Sequence, residues 1–145
     1  TLFRSAKEYY LMGNECITHM HDTRAALANY DKAIELYPDY ADAWVRKGVT
    51  LFNADRINEA EACLDQAVRL RPMEFKTVYN RGKLRLHTGD TEGALADLDK
   101  ATTLKPQHAG AHECFGDALT QAGKEMEAAI QYRLAEELRK RKNNS

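Results

Sequence analysis

His108 and His112 stand four residues apart, with Cys114 just beyond, a spacing at which one helix face can present ligands to a metal ion. His19 and His21 form a second, tighter pair. A structural metal needs four converging ligands, and neither group supplies them. No metal is expected. The other routes to chemistry are missing from the 145 residues: there is no nucleophile–base arrangement, no glycine-rich phosphate loop and no metalloprotease helix motif. The side chains point to binding rather than catalysis, with no enzyme activity and no cofactor expected.

Charge narrows the class of partner. The 21 Lys and Arg offset 22 Asp and Glu to a net −1, which removes the usual electrostatic argument for nucleic acid. The basic run Arg139-Lys140-Arg141-Lys142 reads as a cationic last turn that complements a helix dipole. The longest apolar runs, Tyr9–Met12 and Ala25–Ala28, are far too short for membrane insertion. Three cysteines without a CxxC motif read as reduced thiols and predict a cytoplasmic location. The length predicts a single domain over residues 1–145, and a chain opening at Thr1 also fits a segment cut from a longer protein.

The elements that must position these side chains are helices. There are 21 Ala and 15 Leu against four Val and four Ile, a composition that suits helices and not strands. The helices repeat. Pro38, Pro72 and Pro106 are 34 residues apart, as are Gly48, Gly82 and Gly116, and Ala33, Ala67, Ala101 and Ala135. A period of this size indicates a solenoid whose units bury their apolar faces on one another. Each unit holds two helices and closes near its proline, which cannot continue a helix. Asp55, Gly89 and Gly123 suit the left-handed residue of the inner turns, and Asp22 and Asp90 suit N-caps of the second helices.

The pattern Trp44…Gly48…Leu51…Ala60…Leu64…Ala67…Pro72, recurring in four units, resembles the tetratricopeptide repeat. The first unit fits if its inner turn holds one extra residue near Met20-His21. The resemblance implies an all-α, right-handed superhelical solenoid of four antiparallel helix-turn-helix repeats, at about residues 6–40, 41–74, 75–108 and 109–142. Two positions depart from the family pattern: Arg85 stands where an aromatic is usual, and Lys140 replaces the closing proline of the last unit.

The same resemblance implies a non-catalytic scaffold that takes a protein or peptide in a concave groove lined by the first helices. The groove positions carried over are Lys7, Tyr10 and Asn14; Val45, Arg46 and Val49; Lys76, Tyr79, Asn80 and Lys83; and Glu113 and Asp117. Cations in the first three units and carboxylates in the fourth suit an acidic segment or a C-terminal carboxylate. Asn14 and Lys76 match the family's carboxylate clamp, whereas Tyr10, Arg46 and Asn80 do not. The alternative functions are self-association into a homo-oligomer or larger assembly, and service as a targeting domain excised from a larger protein. Met126, Ile130, Leu134 and Leu138, spaced i,i+4 on the last helix, form the apolar stripe that would serve self-association.

Overall fold

A computed structural model of the chain describes residues 4–145. These residues form eight α-helices and no strand: α1 (Ala6–Thr18), α2 (Thr23–Leu36), α3 (Ala41–Asn53), α4 (Ile57–Leu70), α5 (Phe75–Thr88), α6 (Thr91–Leu104), α7 (Ala109–Gln121) and α8 (Glu125–Asn143). Successive helices pair as hairpins, α1 with α2, α3 with α4, α5 with α6 and α7 with α8. Packing divides the chain into two compact units, Thr1–Pro72 and Met73–Ser145. In the first, α2 packs on α3; in the second, α6 packs on α7.

Local chemistry explains the helix boundaries. The second helices α2, α4 and α6 stop at Leu36, Leu70 and Leu104, two residues before each proline. The Asp22 carboxylate accepts the Ala25 amide at 2.9 Å, and Asp90 accepts that of Gly93 at 3.1 Å, so both are N-caps. Ser5 and Glu8 form a reciprocal capping box at the start of α1. Each inner turn bends through one left-handed residue: His21 at φ 50°, Asp55 at 61°, Gly89 at 83° and Gly123 at 77°. These four are spaced 34 apart, and the first turn, His19 to Asp22, is one residue longer than that between α3 and α4.

The two helices of a hairpin approach closely because glycine faces a large side chain. A Cβ built on Gly48 would lie 2.8 Å from Leu64 Cγ, and one on Gly82 would lie 2.9 Å from Leu98 Cγ. Gly13 and Gly116 meet the rings of Tyr30 and Tyr132 in the same way. Alanine fills the rest of the seam: Ala26, Ala60, Ala94 and Ala128 are all essentially buried. Gly48→Ala should therefore cost about 1–3 kcal/mol, because Leu64 is branched where it must yield. Gly123→Ala, which meets no atom but holds a left-handed φ, should cost about 1–2 kcal/mol. Urea unfolding of the two variants checks both, and an unchanged midpoint for Gly48→Ala would mean that the hairpin is loosely packed.

Candidate functional site

In the first unit the expected groove residues stand on α1 and α3. Lys7 and Arg46 are exposed, and Tyr10, Asn14 and Val49 are half-buried. Val45 does not belong to that surface: at 4% exposure it is a core residue. Tyr10 packs between two other rings, with centroids 6.2 Å from Tyr30 and 5.1 Å from Tyr40. The buried Tyr30 hydroxyl donates to Asn14 Oδ1 at 2.7 Å, which fixes the Asn14 amide. Burial pushes the Tyr30 phenol up to about 12, partly offset by Arg46. Around this cluster lies a cavity of about 320 Å³, lined by Ile17, Tyr30, Arg46, Val49 and Asn53 among others. It joins a guanidinium and an amide to an apolar floor.

In the second unit the expected residues on α5 satisfy one another. Tyr79 stacks on Phe75 at 4.8 Å and meets His108 edge-on at 5.1 Å. Its hydroxyl lies 3.9 Å from Cys114 Sγ, and Lys83 Nζ sits 4.6 Å from its ring centroid. Burial raises both the Tyr79 phenol and the Cys114 thiol above their ordinary values. Asn80 spends its amide N–H on the Lys76 carbonyl at 2.8 Å, and Lys76 lies 3.6 Å from Glu74. On α7, Glu113 pairs with Arg139 of α8 at 2.5 Å, and Asp117 accepts the Tyr132 hydroxyl at 2.6 Å. The two carboxylates expected to supply an anionic end are thus engaged with α8.

A charged cluster inside the α5–α6 hairpin escaped the sequence reading. Asp97 is 3% exposed and takes a bidentate pair from Arg81 at 2.8 and 2.9 Å. Arg85 adds a third bond at 3.1 Å. This accounts for Arg85 at a usually aromatic position: its guanidinium serves a buried carboxylate. The signal available in sequence was two arginines one turn apart facing an Asp where α4 has Cys63 and α8 has Gln131. Removing one partner of a buried ion pair leaves the remaining charge poorly solvated, so Asp97→Ala should cost about 3 kcal/mol in urea unfolding. A loss under about 0.5 kcal/mol, the ordinary surface value, would show that solvent already carries the arginines.

The histidines have structural roles. His108 N-caps α7, its Nδ1 accepting the Ala111 amide at 3.0 Å. His112 is buried, with ring nitrogens 2.7 Å from Gln131 Oε1 and from the Pro106 carbonyl. Among the described residues no three His, Cys, Asp or Glu side chains gather as a metal would require. Desolvation, with help from Lys105, lowers the His108 pKa below its ordinary 6.5. Between that value and 6.5 the unfolded chain binds the proton more readily, so stability falls as the pH drops through this window. NMR titration should find His108 protonating below 6.5, with loss of the Ala111 cap. Titration at or above 6.5 would contradict this.

Two tetratricopeptide repeat profiles match residues 19–79 and 50–109. The chain belongs to the tetratricopeptide repeat family. An uncharacterized protein of Methanocaldococcus jannaschii is 40% identical over 77 residues, covering 53% of this chain and 88% of that protein. The BBSome complex member BBS4 of Xenopus tropicalis is 27% identical over 95 residues, 66% of this chain but only 18% of its own length. Superkiller complex protein 3 of Homo sapiens is 32% identical over 94 residues, 63% of this chain and 6% of that protein. Among solved structures, MamA superposes with a TM-score of 0.85 at 21% identity, covering 97% of this chain and 81% of that one. The MamA likeness shows the shared repeat fold. This repeat fold generally serves as a protein-interaction scaffold, and among the described residues no helix is long and apolar enough to cross a membrane.

Proposed function

We propose that this tetratricopeptide repeat chain works by binding and not by catalysis, holding an extended peptide against the faces of its first helices. The observation that supports this most directly is the cavity of the first unit, where Arg46 and Asn53 converge beside Val49, Ile17 and Tyr30. A guanidinium matches a carboxylate in planar, two-pronged geometry, and the amide adds a neutral donor. The apolar floor takes an aliphatic or aromatic side chain. The ligand chemistry that fits is an acidic segment, or a C-terminal carboxylate next to an apolar residue. Tyr10 and Lys7 on α1 extend this face, and Lys76, Tyr79, Asn80 and Lys83 form the corresponding face of α5.

Relatives described as complex members fit this reading. The three free cysteines fit a reducing, cytoplasmic setting. Cations steer such a ligand, while desolvated aromatic and aliphatic contacts supply most of the affinity.

The test begins with a peptide array to find a ligand, followed by calorimetry. Arg46→Glu should weaken binding by about tenfold or more, and Tyr79→Ala by at least a few-fold. Raising salt should lower the affinity without abolishing it. Wild-type affinity in both variants, with losses from substitutions on α2 and α4, would move the ligand to the second helices and end this proposal.

A further inference from the structure

Lys140 stands where a proline closes each of the other units, so the last helix runs on. Helices α2, α4 and α6 stop at Leu36, Leu70 and Leu104, whereas α8 passes the matching Leu138 and ends at Asn143. Of its apolar positions, Met126, Ile130 and Leu134 are exposed and Leu138 is half-buried. The added turn faces the start of α7. Between them lies a cavity of about 610 Å³, lined by Gln107, His108, Leu138, Arg139, Arg141 and Lys142 among others.

The charge in this cavity is one-sided. The other cations of α8 are paired, Arg133 with Glu137, Arg139 with Glu113 and Lys140 with Glu136. Among the described residues, Arg141 and Lys142 have no carboxylate partner. The field at His108 has the same sign: after desolvation, Lys105, Lys83 and His112 all act to lower its pKa. Positive groups gathered on one concavity repel one another, and an anion placed among them relieves that repulsion. A phosphate monoester brings nearly two negative charges and three acceptor oxygens, which suit a guanidinium fork beside an ammonium. A carboxylate brings one charge and leaves part of the surplus. Nucleic acid is disfavoured, because it needs a row of cations and this cavity holds a single group.

We propose that the cavity between α7 and the last turn of α8 binds a phosphate monoester, with Arg141 and Lys142 as direct contacts and Arg139 held in place by Glu113. The site does not depend on the peptide face proposed above. Its phosphate comes from a small phosphate compound or from a phosphorylated side chain, and the recognising chemistry is the same for both.

The test follows amide shifts of the 145-residue chain on titration with inorganic phosphate at about pH 8, where the dianion dominates, against sodium acetate of equal ionic strength. Phosphate should move the amides of Gln107, His108 and Arg141 saturably, with a midpoint in the millimolar range, and acetate should not. Arg141→Glu, at an exposed position, should weaken phosphate binding by about tenfold with unchanged circular dichroism. Lys140→Glu makes the same charge change one residue away, on the side that pairs with Glu136, and should alter the affinity by less than about twofold. A phosphoserine peptide that binds more tightly than inorganic phosphate assigns the site to a phosphorylated protein, and the reverse order assigns it to a small phosphate compound. The absence of a saturable response overturns the proposal, as do equal responses to phosphate and acetate. Wild-type affinity in Arg141→Glu, or an equal loss in Lys140→Glu, also overturns it.

Discussion

Everything in this chain depends on how closely the two helices of each hairpin approach. Glycine on the first helix gives up its side-chain volume so that Tyr30, Leu64, Leu98 or Tyr132 of the second can lie against backbone. Small alanines continue the contact, which replaces bulk with dispersion over a long, tight seam. Leu, Ile, Val and Phe total only 27 residues, yet the core closes because the helix axes come near. That approach also aims the remaining side chains. With one face of each first helix held against its partner, polar and aromatic residues on its other faces become available for recognition.

The two units use these faces differently. In the first, Tyr30 and Asn14 satisfy each other beneath a cavity that leaves Arg46 exposed at its rim. In the second, Tyr79, Phe75, His108 and Lys83 pack together, and Asn80, Glu113 and Asp117 have internal partners. A ligand reaching the second face must displace contacts already made, whereas one entering the cavity of the first fills space. Asp97 is likewise structural: held by three hydrogen bonds inside a hairpin, its carboxylate orients Arg81 and Arg85.

The parts of the fold legible in sequence were those written as a residue type at a fixed interval. Prolines, seam glycines and capping aspartates state their roles, since few other residues can fill them. His21 takes the same left-handed turn as Gly89, but histidine carries no such signal and only its 34-residue register identifies it. The groove was legible as a set of positions and not as a set of available groups. Glu113 and Asp117 read as free carboxylates because their partners, Arg139 and Tyr132, lie on another helix, α8, at positions that no repeat spacing links to them. Val45 read as a groove residue because helical spacing alone does not separate a rim position from a core one.

Mapping backbone amide shifts while titrating the chain with its selected peptide locates the ligand on the helices. The largest changes should fall on Arg46, Val49 and Asn53 of α3 and on Ile17 of α1, with Tyr30 shifting as its ring senses the filled cavity. Changes confined to the outer residues of α2 and α4, with the cavity amides unmoved, would contradict that placement.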